Sequence, residues 1–265
     1  MPPKPIIVVK PLRRPNIQAE KQEEQRHRRM AREHYKAAWG LIENKDFEGA
    51  IDVLTLSIAS WPTNATYLGL RGRCYFDMEE FLSALEDFNE ALKLDPKRVT
   101  MHERQGLTFV ALARFNDAIQ SFNNASRLDP SAGEPIYERA KVRAILHQDA
   151  QALEDFTLAI KKLEEEKCGP VCEPHVERAQ LKRRMGLHSE AILDLEIAHN
   201  LKQTDLNILN LLCEVQSPPP AQGRGRISHA WLTHERPHAL QVPTGSCATH
   251  APSYIHLAGL AHVPA

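Results

Sequence analysis

Two short stretches carry side chains at spacings that could do chemistry. His234-Glu235-Arg236-Pro237-His238 has the H-E-x-x-H order, in which two histidines one helical turn apart hold zinc and the glutamate activates water. That geometry needs a continuous helix, and Pro237 interrupts it. Residues 229–245 show no helical period and offer no scaffold for a third ligand, so no metal site is expected there. Cys168-Gly169-Pro170-Val171-Cys172, with His175 close by, has C-x3-C spacing and no matching second pair, and reads as a loop insertion rather than a zinc knuckle. The 5 cysteines are too sparse and unevenly spaced for a disulfide framework, which points to thiols in a reducing compartment, cytoplasm or nucleus. Cys74, on a packed helix, reads as an inert core thiol. Asn64-Ala65-Thr66 and Asn124-Ala125-Ser126 are formal glycosylation sites, but residues 1–15 hold no apolar run beyond Ile6 to Val9 to direct the chain into the secretory pathway. Glycines 223 and 225 lie in a tail and form no phosphate loop, and no carboxylate pair or Ser/His/Asp set stands out. The expectation is a protein without catalytic residues, metal or cofactor.

The elements that would position any site come next. The 265 residues carry 33 basic and 34 acidic side chains, a balance with no general pull toward nucleic acid or anionic membrane. No run approaches the roughly 18 to 20 apolar residues of a membrane-spanning helix. Residues 1–16 hold five prolines plus Lys4, Lys10, Arg13 and Arg14, and such a segment is expected to be a disordered, extended arm. Residues 17–30 carry mixed charge among good helix formers, acidic residues ahead of basic ones, and should extend the first helix, with pairs such as Glu24–Arg28 along it. A solvated helix fits this stretch better than a basic nucleic-acid site, because Glu20, Glu23 and Glu24 offset the arginines. Residues 216–265, rich in proline and histidine, are expected to be a disordered tail.

A repeat organises the rest. Pro62, Pro96 and Pro130 are 34 residues apart, as are Ala50, Ala84, Ala118 and Ala152, and Phe88, Phe122 and Phe156 keep the same step. Each unit reads as two antiparallel helices. Leu68, Gly72 and Tyr75 share one face of a first helix, and Ala84, Phe88 and Ala91 share one face of a second. The small residues let the backbones approach and the rings fill the space beside them. Asp77 to Glu80 makes the turn, and Asp95-Pro96 ends the second helix.

A helix-turn-helix of this length with small residues at these points resembles the tetratricopeptide repeat family. Five repeats are placed at 31–64, 65–98, 99–132, 133–171 and 172–205, together 31–205. The first has Leu54 and Ser57 where phenylalanine and alanine are usual, the fourth has Glu164 in place of the closing proline, and the fifth rests on Ala179, Ala191, Leu195 and Ala198. The resemblance implies an all-α, right-handed superhelical solenoid with a concave groove lined by the first helix of each repeat. Matched groove positions include Tyr35, Trp39, Arg73, Phe76, Leu107, Tyr137, Lys141, Arg183 and Arg184, with Arg32, Asp77 and Glu103 beside them. This lining is mixed aromatic and basic, and aromatic and arginine side chains are the usual anchors of interfaces. The alternative for Tyr35 and Trp39 is that they cover the N-terminal end of the array.

The implied function is a non-catalytic adaptor or scaffold that binds a partner peptide or helix. Family members that grip the acidic tails of heat-shock chaperones use a clamp of lysine, asparagine and arginine. The matched positions here are Tyr35, Trp39, Leu70, Thr100 and Arg104 in one register, and Gly69, Arg73, Arg104, Glu134 and Glu138 in the other. Glutamates there repel a carboxylate, so a co-chaperone role is the disfavoured alternative, and a metal-dependent hydrolase built on the tail ranks lower still. Residues 206–215, capped by Thr204-Asp205, read as half a repeat with unmatched apolar surface. That end suggests a truncated or alternative form of a longer array, or an edge for self-association. The localisation expected is cytoplasmic, with cytoskeletal or ciliary contexts implied by the family and the nucleus left open.

Overall fold

The structure, a computed structural model, describes residues 17–167 and 169–216. The arm 1–16, Cys168 and the tail from 217, with its His234 to His238 stretch, lie outside the described residues. Among the described residues the chain is all helix: α1 (Ile17–Glu43), α2 (Phe47–Ser60), α3 (Ala65–Asp77), α4 (Phe81–Leu94), α5 (Val99–Ala111), α6 (Phe115–Leu128), α7 (Glu134–Ile145), α8 (Asp149–Lys167), α9 (Cys172–Arg184), α10 (His188–Leu201) and α11 (Leu206–Gln216). Consecutive helices pair, α1 with α2 through α9 with α10, and each pair leans on the next, so the chain is an all-α solenoid of five helix pairs with α11 packed on α10.

Small and large side chains alternate in the seams. Ala50, Ala84, Ala118, Ala152 and Ala191 are all fully buried, as are Phe88 and Phe122, and each buried ring contributes roughly 1.5–3 kcal/mol. The first and second helices meet closely enough that a Cβ at Gly106 would come within 2.6 Å of the Phe122 ring. Proline closes the pairs as expected: Asp95 and Asp129 cap α4 and α6, directly before Pro96 and Pro130. Where Glu164 replaces that proline, α8 runs on to 19 residues.

The turns inside the pairs repeat one backbone conformation. Lys45, Glu79, Ala113 and His147 have φ of 60°, 64°, 55° and 55°, and Gly186 has 80°. Each sits just after a first helix in a Schellman closure, such as Glu80 N–H to the Tyr75 carbonyl at 2.8 Å and Arg114 N–H to the Phe109 carbonyl at 2.8 Å. Glycine accepts this left-handed conformation freely, whereas a side chain raises its cost.

A polar ladder threads the seams. Arg71 grips Asp87 through Nε at 2.8 Å and Nη2 at 2.7 Å. Arg139 grips Asp155 with the same two distances, and Arg178 grips Asp194 in the same way. The third pair substitutes Gln105 and Ser121, bonded at 2.8 Å. Each first-helix side chain also reaches back one repeat, Arg71 to Thr55, Gln105 to Asn89, Arg139 to Asn123 and Arg178 to Thr157. These bonds satisfy buried carboxylates and set how far one pair is displaced from the next.

Outside the pairs, residues 18–30 of α1 are exposed, extending that helix beyond the first repeat. Glu24 and Arg28 form the expected ion pair, and the Arg28 guanidinium lies 4.5 Å from the centre of the Trp61 ring at the end of α2.

Candidate peptide-binding groove

The first helices α3, α5, α7 and α9 touch in sequence, which makes their shared face a continuous strip with α1 at one end. At the α1 end the aromatic residues form a cluster. Tyr35 meets Trp39 edge-on at 6.4 Å and Tyr67 at 5.3 Å, and Trp39 remains 39% exposed. Arg73 lies 5.9 Å from the Trp39 ring and 3.6 Å from Asp77. Phe76 packs on Phe81 at 5.4 Å. Tyr35 is half-buried and packs against the N-terminal core.

Farther along, the matched side chains are held by neighbouring residues. Leu107 is drawn into the core around Phe122. Tyr137 packs on Phe156 at 6.0 Å, and Lys141 sits 4.7 Å from its ring centre and 2.7 Å from Glu138. Burial, together with Glu177, Glu138, Glu134 and Glu173, pushes the Tyr137 phenol well above the usual range. Burial and the nearby Glu134 likewise raise the Glu103 carboxyl, against Arg104, and burial raises Glu138 against Lys141. Arg183 and Arg184 are already held, Arg183 by Glu214 of α11 at 2.6 Å and Arg184 by Asp149 of α8 and the Ala144 carbonyl. Glu173 and Glu177 went unnoticed in the sequence, although Glu177 follows Glu138 by one repeat once the five-residue insertion is counted.

Elsewhere no group of three His, Cys, Asp or Glu residues among the described residues could hold a metal. Cys74 is buried, which pushes its thiol up to about 11. His175 is packed between Asp194 at 3.0 Å and Glu164 at 3.2 Å, tying α8, α9 and α10 together.

A family model described as the tetratricopeptide repeat matches residues 65–98, the helix pair α3–α4. Residues 65–98 are thus a tetratricopeptide repeat, and the helix-pair solenoid around them has the fold of solved arrays of that repeat. Solved repeat proteins share its fold. A tetratricopeptide repeat protein from Parabacteroides merdae is 18% identical with a TM-score of 0.62, covering 71% of this chain and 72% of that one. A thermophilic repeat protein of Thermus thermophilus is 17% identical with a TM-score of 0.53, covering 70% and 98%. YrrB, a repeat protein with an unusual peptide-binding site, is 16% identical with a TM-score of 0.57, covering 72% and 95%. A search of curated proteins finds no match.

Proposed function

We infer that this helical-repeat protein is a non-catalytic adaptor whose first-helix face holds a peptide or helix of a partner protein. Such repeat proteins generally act by binding rather than by catalysis. The observation that carries the reading is the run of first helices α3, α5, α7 and α9 in contact, with α1 at its end, where the rings of Tyr35, Trp39 and Tyr137 stand beside charged side chains. Anchors of this kind on a fixed backbone lower the entropic cost of holding an extended or helical segment. The glutamates around Tyr137 disfavour acidic tails as ligands, which weighs against a co-chaperone role. No helix among the described residues is long and apolar enough to cross a membrane, which is compatible with the cytoplasmic setting we propose. We also place a candidate self-association edge on α10 and α11, where Leu193 and Leu206 are 60% and 71% exposed; light scattering reads it as a concentration-dependent dimer.

The test of the main reading is replacement of Tyr35, Trp39 and Tyr137 together by alanine, followed by partner capture from cells and a circular dichroism check of helix content. Loss of captured partners with helix content retained is expected. Retained capture would falsify the assignment of the groove.

A further inference from the structure

The third rung of the polar ladder carries no charge, and a cavity opens beside it. Where the second, fourth and fifth helix pairs join Arg71 to Asp87, Arg139 to Asp155 and Arg178 to Asp194, the third has Gln105 and Ser121. Gln105 is shorter than arginine. Its amide stops at Asn89, to whose Oδ1 it donates at 2.8 Å, and its own Oε1 accepts from Ser121 at 2.8 Å. A cavity of about 640 Å³ lies beside that amide, with Glu86, Asn89, Glu90 and Lys93 of α4, His102 and Gln105 of α5, and Asn124 of α6 in its walls. The volume falls within the roughly 300–1,000 Å³ of small-ligand clefts.

The next repeat shows which group fills this place when it is filled. There Asn123 stands for Asn89 and Arg139 for Gln105, and the Arg139 guanidinium donates to Asn123 Oδ1 at 2.7 Å while gripping Asp155. The open counterpart keeps its acceptors. The carbonyl oxygens of Asn89 and Gln105 each accept one bond and have room for a second. Asn124 Oδ1 accepts from Arg127, which is not itself in the walls, at 3.1 Å. Glu86 is exposed and has no ion pair among the described residues. The other polar groups are committed: Lys93 to Glu90, and His102, whose Nε2–H donates to the Pro96 carbonyl at 3.0 Å. The walls thus present amide carbonyls and one unpaired carboxylate, a set that matches a planar cation with several donors better than a single ammonium. We propose that the cavity over Gln105, between α4 and α6, receives an arginine side chain of a partner protein, whose guanidinium takes the place that Arg139 fills one repeat on. The site draws on α4 and α6 and does not depend on the first-helix strip.

The full chain tests this by nuclear magnetic resonance, reading the side-chain amides of Asn89, Gln105 and Asn124 during titration with a blocked glycine-arginine-glycine tripeptide. Saturable shifts at those amides are expected, with an affinity at least about tenfold above that of the lysine and citrulline counterparts. Rebuilding the rung by Gln105→Arg with Ser121→Asp, the pairing that the fourth repeat already holds, fills the cavity. It should cost at least about tenfold in affinity, read at Asn124. Glu86→Gln changes an exposed side chain only, so it should keep helix content and weaken arginine binding several-fold, and it decides the matter if the rebuilt chain does not fold. Free arginine should bind more weakly than the blocked peptide, because its α-carboxylate meets Glu86 and Glu90. Equal affinity for the lysine peptide reduces the site to unselective attraction and overturns the proposal. Undiminished arginine affinity in the rebuilt chain or in Glu86→Gln, or no saturable shift in the parent, overturns it as well. Tighter binding of free arginine than of the peptide assigns the cavity to the amino acid and overturns the partner's side chain as its occupant.

Discussion

The polar ladder makes the sharpest prediction about stability. Asp155 is 5% exposed and accepts from Arg139 at 2.8 and 2.7 Å and from Arg143 at 2.6 Å. Replacing it with serine leaves two largely buried guanidinium groups facing one hydroxyl. Removing one partner of a buried ion pair costs about 3–5 kcal/mol, because the stranded charge is not rehydrated. The third repeat shows a neutral solution at the same place, Gln105 bonded to Ser121 at 2.8 Å. Transplanting it as Arg139→Gln with Asp155→Ser should therefore recover most of the loss, leaving about 1 kcal/mol for the Arg143 contact. The coupling between the two changes is then at least about 2 kcal/mol. Urea unfolding followed at 222 nm measures it, and in heat the single change should lower Tm by roughly 6–20 °C at about 2–4 °C per kcal/mol. A single variant within about 0.5 kcal/mol of the parent, or a double variant no better than the single, would refute the ladder as an energetic element.

Three further expectations follow from the same structure. At the left-handed turn positions, Ala113→Gly and Glu79→Gly should each stabilise by about 0.5–1 kcal/mol, and Gly186→Ala should cost about 1 kcal/mol or more, all read by chemical denaturation; the opposite order would mean that these turns are not strained. Burial pushes the Asp194 carboxyl up, but hydrogen bonds from His175, Arg178 and Lys182 prevail and hold it well below the usual range. Its stabilisation is thus complete above the unfolded value of about 3.9 and is lost as pH falls through the lower folded value. Asp194→Asn should be less stable than the parent at pH 7, with the difference shrinking as pH drops below about 4, and a difference that widens in acid contradicts it. Finally, Cys213 is exposed whereas the buried Cys74 thiol lies at about 11, so iodoacetamide at pH 8 should label Cys213 and spare Cys74 until the chain unfolds.

The parts of this fold that are legible in sequence are those governed by size. Ala84 and Phe88 recur at a fixed interval because two backbones can approach only over a small side chain, and the interval survives any change of surface. The ladder is written with the same period, Arg71, Gln105 and Arg139, yet these residues differ in charge and look like ordinary exposed positions until the facing helix is in place. The left-handed turns hide for a related reason: Lys45, Glu79, Ala113 and His147 share a backbone angle but no side-chain chemistry. In the groove, matched positions name Tyr35, Trp39 and Tyr137 as candidates, while the ion pairs of Arg183 and Arg184 are made with Glu214 and Asp149, 31 and 35 residues away. Partners so distant on a helical chain have no local signature. The insertion after α8 breaks the register that would align Glu177 with Glu138.

The central claim, that the first-helix face takes the partner, is tested most directly by site-specific photocross-linking in cells. A benzophenone side chain placed at Tyr137 or Trp39 in the full chain should yield discrete partner adducts, while the same group at Leu82, 69% exposed on α4, should yield none. Adducts from Leu82 alone, or equally from all three positions, would contradict the account.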